Sequence, residues 1–132
     1  MFNNFYIKAL LLAGLALPIA GCIAPQGLDS IVITPSTYTV TLSTTGYGGY
    51  WSYKAIGYYG NAAHQVTKDI TDQVTWTSLA PIMVTINSSG VATVTGKATG
   101  STSIIASAPG YNGDIVSNVS TFIVQLPTAT TN

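Results

Sequence analysis

Few side chains in this chain of 132 residues belong to the types that carry out acid–base, nucleophilic or metal chemistry. His64 is its only histidine, and no Gly-x-Ser-x-Gly turn or comparable nucleophile motif accompanies it. A catalytic triad needs a base that a carboxylate orients beside a nucleophile. Asp69 and Asp72 lie three residues apart, and surface and turn positions explain them more simply than the paired carboxylates of a glycosidase. The sequence therefore predicts no catalytic residues and no enzymatic activity.

Metal ligands are equally scarce. Calcium asks for about six to eight oxygens, usually with several carboxylates, and the chain has four Asp, no Glu and no loop motif that would gather them. Zinc would need a set of His, Cys or carboxylate ligands, and the chain has one His and one Cys. The sequence predicts neither a metal site nor a cofactor.

The local feature with binding chemistry is aromatic. Six aromatic residues fall close together in the sequence: Tyr47, Tyr50, Trp51, Tyr53, Tyr58 and Tyr59. A tyrosine offers a flat apolar face and a hydroxyl, which suit stacking on sugars and anchoring a protein partner. Packing in the core and at its rim explains the same residues without a ligand, and both interpretations stay open. The candidate binding patch consists of Tyr47, Tyr50, Trp51, Tyr58 and Tyr59.

The single cysteine, Cys22, follows Ile19-Ala20-Gly21 at the end of the apolar run Ala9–Ala20. That run is too short to span a bilayer, which needs about 20 residues, but it suits the apolar region of a secretory signal with small residues at the cut. Ile-Ala-Gly-Cys resembles the bacterial lipobox, in which the signal is removed and the cysteine becomes the lipidated first residue. The resemblance implies lipidation of Cys22, and a secretory signal beside an uninvolved cysteine is the alternative. Ile23 after the cysteine, rather than Asp, implies sorting to the outer membrane.

The length and charge of the chain after residue 21 limit how many domains it can form and which partners it can bind. Once residues 1–21 are removed, it is long enough for one domain with an ordinary hydrophobic core. It carries three Lys and four Asp, with no Arg. Such a surface has no basic field for nucleic acid and no polybasic patch for anionic lipid. We expect no nucleic-acid partner.

The elements that would position these residues are β-strands. From Ser30 onward, apolar residues alternate with Thr, Ser and other polar residues at a period of two, which is typical of half-buried strands. Gly-, Pro- and Asn-rich turn signals separate the runs. About seven or eight short strands at this spacing predict an all-β antiparallel sandwich. Its expected core has Trp76 as the central aromatic, with Tyr53, Val84, Ile104 and Val124.

The sequence also predicts two local features, one strand face and one hairpin turn. The alternation places Ile82, Val84 and Ile86 on one face of a single strand. Asn112-Gly113 is expected to turn the last hairpin, with the glycine supplying a positive φ.

Three segments carry a family resemblance through their order and spacing. They are Leu28–Pro35; the stretch Ala55–Tyr59 with Val66-Thr67 and Val74–Ser78; and Ser89–Ala106. In this order they resemble the opening strand, the strand B to Trp-bearing strand C region, and the most diagnostic stretch of the bacterial immunoglobulin-like domain of group two. That family occurs in intimin- and invasin-like surface proteins. The resemblance implies an Ig-like Greek-key sandwich with an adhesion or protein-interaction role.

Together these interpretations divide the chain into four parts. They are a lipoprotein signal peptide (1–21), a lipidated N-terminus and short tether (22–28), an Ig-like domain (29–125) and a flexible C-terminal tail (126–132). Because the six tether residues after the cysteine reach at most about 20 Å, the domain is expected to start close to the membrane.

We therefore expect a lipid-anchored protein of the bacterial cell envelope that acts as a non-catalytic adhesion or protein-interaction module. One alternative is a periplasm-facing structural or accessory lipoprotein of an envelope complex. Another is a carbohydrate-binding module that uses the Tyr/Trp cluster. Whether the domain faces the cell surface or the periplasm stays open. The strand Tyr38–Ser43 also lacks the Lys residues that discourage pairing at a sheet edge, which predicts a weak homotypic contact.

Overall fold

The computed structural model describes residues 27–43 and 49–128. Within these ranges the chain is all-β, as predicted, with eleven strands, most of them short, and no helix. The strands are β1 (Leu28–Thr34), β2 (Thr37–Thr41), β3 (Tyr50–Ser52), β4 (Lys54–Tyr59), β5 (Val66–Asp69), β6 (Thr75–Ser78), β7 (Val84–Ile86), β8 (Val91–Val94), β9 (Gly100–Gly110), β10 (Gly113–Val116) and β11 (Ser120–Gln125). Cys22 and Tyr47 lie outside the described residues.

Strands β3 and β4 follow each other along one stretch of chain, which Tyr53 interrupts, and they join two sheets. The first part, β3, pairs antiparallel with β8, and β8 pairs with β7. The second part, β4, lies between β1 and β5 and is antiparallel to both. At the interruption, the backbone N–H of Tyr53 donates to the carbonyl of Gly90 at 2.8 Å, so the stretch stays attached to the β7–β8 turn.

The long strand β9 organises the remaining sheet. It pairs antiparallel with β6, β10 and β11, and β11 also pairs in parallel with β2. Among the described strands, β2 therefore lies at the edge of this sheet. The strand number exceeds seven or eight partly because the β3–β4 stretch is split at Tyr53 and the β10–β11 stretch at Ser117–Val119.

One group of strands is the sheet around β9, and the other is the two sheets that the β3–β4 stretch joins. Side chains from both groups meet in one core, which gives a β-sandwich-like fold. All five residues that the alternation placed in the core are buried: Tyr53, Trp76, Val84, Ile104 and Val124. The ring of Tyr53 lies 5.5 Å from that of Tyr38 and 5.9 Å from that of Trp76, measured between centroids. Aromatic packing therefore connects β2 and β6 of one sheet with the β3–β4 stretch of the others.

A side-chain amide ties the two groups of strands together. Asn118, in the link between β10 and β11, accepts a hydrogen bond from the backbone N–H of Ile33 through Oδ1 at 2.7 Å. Its Nδ2 donates to the carbonyl of the same residue at 3.2 Å. The amide thus occupies the place of a strand partner for β1, because it satisfies a donor and an acceptor of one backbone residue.

Three local expectations differ from the structure. Ile82 is 65% exposed and its neighbour Met83 is buried, because residues 81–83 form a turn and strand alternation begins only at Val84. The β9–β10 hairpin turns at residues 111–112, one position earlier than expected, although Gly113 does have a positive φ of 133°. Leu28, expected in the tether, begins β1 and is buried.

Candidate functional site

The aromatic cluster of the sequence does not form one patch. Tyr50 and Tyr58 lie eight positions apart along the extended β3–β4 stretch, which at about 3.3 Å per residue separates them by roughly 25 Å. Tyr59 pairs with Leu28 at the start of β1, and Lys54 pairs with the residue at the end of β1. Tyr50 comes before Lys54 in the chain and therefore lies beyond the end of β1. The tyrosines therefore lie at opposite ends of the fold.

We name these two ends by their residues. The Gly27 end comprises Gly27, Tyr58 and Tyr59 at the end of β4, the turn at residues 60–65, Val66 at the start of β5, and the hairpin tip at residues 111–112. The Tyr50 end comprises Tyr50 at the start of β3 and the last residues of β2 and β11, which lie side by side at Thr41 and Gln125.

Exposure separates the described members of the patch further. Tyr50 is 78% exposed. The ring of Trp51 packs edge-on against Phe122 at 5.7 Å, so it belongs to the rim of the core. Tyr58 and Tyr59 are both half-buried. Tyr59 packs against the core. Tyr58 is on the other face of β4, an interior strand, where residues of β1 and β5 flank it.

Tyr50 stands in a row of hydroxyl-bearing neighbours. It pairs with Thr93 on β8, and Thr93 pairs with Thr85 on β7. Residues directly opposite on neighbouring strands have Cβ atoms about 5 Å apart on the same face. This uncharged Tyr-Thr-Thr row can bury an aromatic ring against a partner while it offers hydroxyl hydrogen bonds.

An open cleft of about 500 Å³ lies between the β7–β8 turn and the end of β5. In it, Nζ of Lys54 lies 3.1 Å from Oδ2 of Asp69. Oδ1 of Asp69 accepts hydrogen bonds from the hydroxyl of Thr71 at 2.6 Å and from its backbone N–H at 3.1 Å. These bonds, the hydroxyl bond above all, and the ammonium of Lys54 lower the pKa of Asp69 from 3.8 to about 2. A carboxylate held in this way stays ionised and is unsuited to act as a general acid.

A second open cleft, of about 400 Å³, lies at the Gly27 end. The residues that line it include Asp29, Asn61, Tyr111 and Asp114. Tyr111 is 86% exposed. The residues around Tyr111 predicted only a turn, and the candidate binding patch did not include Tyr111, although an aromatic residue at the tip of a hairpin is a signal that could have indicated it.

The other residues considered for chemistry occupy the surface. His64 is exposed in the turn between β4 and β5, where its backbone N–H donates to the carbonyl of Asn61. Asp72 is exposed in the turn after β5. Residues 27–43 and 49–128 contain no group of three or more His, Cys, Asp or Glu placed to hold a metal ion.

Comparison with known proteins finds no family model and no curated protein that matches this chain. In the part of the chain that the structure describes, no helix is long and apolar enough to cross a membrane. The function is therefore inferred from the residues and geometry of this chain itself.

Proposed function

We propose that this protein is a lipid-anchored, immunoglobulin-like interaction module of the bacterial cell envelope, without catalytic activity. The strand order supports the Ig-like part of the proposal. Strands β1, β3–β4, β8 and β7 follow the A-B-E-D order of an immunoglobulin sheet, and β6, β9 and β11 follow its C-F-G order. The lipobox-like Ile19–Cys22 supports the anchor.

The observation that carries the proposal is the position of Tyr50 relative to the point where the N-terminal segment enters the fold. That segment joins at Gly27, and Tyr50 lies at the other end of the fold. Acyl chains on Cys22 would hold the Gly27 end near the bilayer, since each buried methylene contributes about 0.8 kcal/mol. The Tyr50 end then points away from the membrane, where it can meet a partner.

The chemistry of the Tyr50 end favours a protein partner. Exposed tyrosines are common energetic centres of protein interfaces, and Tyr50 is accompanied by the hydroxyls of Thr93 and Thr85 on the same face. The carbohydrate alternative depended on several rings forming one platform. Because Tyr58 and Tyr59 lie at the Gly27 end and Trp51 packs against the core, that platform loses three of its members.

Metabolic labelling with an alkyne-tagged fatty acid tests the anchor. We expect the wild-type protein to incorporate the label and the Cys22→Ala variant to incorporate none, because the thiol is the acceptor. Equal labelling of both proteins, or labelling of neither, would contradict the anchor. Protease treatment of intact and of permeabilised cells then distinguishes a surface module from the periplasm-facing accessory lipoprotein, which is digested only after permeabilisation.

The Tyr50→Ala substitution tests the interaction surface. We expect little change in the free energy of unfolding, within about 0.5 kcal/mol, because the side chain is exposed. We expect the loss of a discrete cross-linked complex that the wild-type protein forms in its own cells, since truncation of an interface anchor costs about 2 kcal/mol or more.

Val116→Ala is the matched control, because Val116 is an exposed apolar residue on β10, away from the Tyr50 end. It should keep the complex. A complex that survives in the Tyr50→Ala variant would exclude Tyr50 as the anchor of the interface.

A further inference from the structure

We propose that the Gly27 end, with Tyr111 at its tip, rests on the surface of the lipid bilayer and forms a second, non-covalent contact with the membrane. The inference depends on the lipidation of Cys22 in the proposed function. It goes beyond that function because it assigns a surface of the folded domain, with a named contact residue, that itself touches the bilayer.

The N-terminal segment meets the fold beside the tip of the β9–β10 hairpin. A Cβ atom built on Gly27 would lie 3.3 Å from Cβ of Tyr111 and 3.9 Å from its backbone nitrogen. The entering chain therefore passes directly against the tip of the β9–β10 hairpin. A membrane anchor on the N-terminal segment therefore also keeps this hairpin close to the membrane.

Only a short length of chain separates the Gly27 end from the proposed anchor at Cys22. Five residue steps connect Cys22 with Gly27, and at about 3.6 Å per step they reach at most about 18 Å. The Tyr50 end lies a further length of the β3–β4 stretch away, roughly 25 Å. A bilayer that holds the cysteine is therefore within reach of the Gly27 end, whereas the Tyr50 end can touch it only if the domain lies flat along the membrane.

The exposed side chains at the Gly27 end suit a membrane–water interface. Tyrosine is enriched at membrane–water interfaces, because its ring is apolar and its hydroxyl stays hydrated. Tyr111 is 86% exposed. Val66 is 60% exposed and lies at the same end, since it pairs with Tyr59, which pairs with Leu28. An exposed aromatic and an exposed aliphatic side chain thus flank the point where the anchored segment enters.

The charges at this end select the kind of lipid. Asp29 and Asp114 line the cleft beside Tyr111. The lysine on β5, the strand that starts at this end, is Lys68, two residues after Val66. Anionic headgroups create a negative surface potential that repels carboxylates. The bilayer that fits this end is therefore one with mostly zwitterionic headgroups, and anionic lipid should weaken the contact.

The test uses the full lipidated protein in phosphatidylethanolamine–phosphatidylcholine vesicles. A polarity-sensitive fluorophore is attached to Val66→Cys, and to Tyr50→Cys as the matched control at the far end. We expect brominated acyl chains to quench the label at position 66 several-fold more than the label at position 50. Adding Tyr111→Ser to the Val66→Cys protein should remove most of that quenching, and so should replacement of half of the lipid by phosphatidylglycerol.

The mass of the purified protein distinguishes a failure of the proposed anchor from a failure of the proposed bilayer contact. A mass without acyl chains on Cys22 overturns the anchor, and this inference with it. Acylated protein with equal quenching at positions 50 and 66 overturns the bilayer contact alone and leaves the anchor intact. Quenching that persists in the Tyr111→Ser protein would also overturn the assignment of Tyr111 as the contact residue.

Discussion

The Trp76→Ala substitution is expected to lower the free energy of unfolding by about 3–5 kcal/mol. Trp76 is buried, and its ring lies 5.9 Å from that of Tyr53. Its indole N–H donates to the carbonyl of Thr71 at 2.9 Å. Removal of the ring leaves a cavity between the sheets and a half-buried carbonyl without this donor, and both effects destabilise the fold. A domain of this size has a total stability of about 5–15 kcal/mol, so the variant should be close to unfolding.

Urea unfolding followed by circular dichroism measures this change. Trp51→Ala is the control, because Trp51 is a half-buried residue at the rim of the core and should cost less. Trp76→Phe should fall between the wild type and Trp76→Ala, since it keeps most of the ring and loses the hydrogen bond to Thr71. A Trp76→Ala protein as stable as Trp51→Ala would show that Trp76 is not the centre of the core.

The Asn118→Ala substitution is expected to cost about 2–3 kcal/mol, since two hydrogen bonds are lost and each partly buried group left without a partner costs about 1–3 kcal/mol. The groups at risk are the N–H and the carbonyl of Ile33. Asn112→Ala is the control, because Asn112 is exposed in the hairpin turn. Urea unfolding of the two variants at neutral pH should place Asn112→Ala near the wild type and Asn118→Ala well below it.

The Asn118→Asp variant adds a pH dependence of known sign. An ionised Asp accepts from the N–H of Ile33 but sets a second oxygen against the carbonyl of the same residue, so folding should raise its pKa above the unfolded value of about 3.9. A raised pKa means that the stabilisation is present at low pH and is lost as the pH rises through the folded pKa. Stability relative to the wild type should therefore recover as the pH falls toward 4. If stability does not recover, the hydrogen bond that Nδ2 of Asn118 donates to the carbonyl of Ile33 contributes little to the stability of the fold.

The strand pattern was predictable because it is local. Alternation at a period of two places every second side chain on the buried face, whatever the pairing of the strands. Buried residues such as Ile33, Ala55, Ile104 and Phe122 therefore follow from their own neighbours in the sequence. The pattern failed at Ile82, where a turn displaced the start of the strand. Turns depend on backbone conformation that alternation does not report.

The candidate site was less predictable because closeness in sequence is not closeness in space. Six aromatic residues in a short stretch look like one patch, but an extended chain rises about 3.3 Å per residue and carries them to opposite ends. Tyr50 is left in a row with Thr93 and Thr85, which are far from it in the sequence. Tyr111 comes to lie against Gly27 in the same way.

The sequence by itself determined the all-β class and the composition of the core, and it supplied the lipobox-like motif around Cys22, because all three depend on residues that are adjacent or alternate along the chain. Only the tertiary structure decided which aromatic side chains are exposed, which end of the fold each one occupies, and that Asn118 would serve as a partner for β1. These outcomes depend on pairing between segments that are distant in sequence, such as Ile33 with Asn118. Strand register sets that pairing, and register is a property of the assembled sheets.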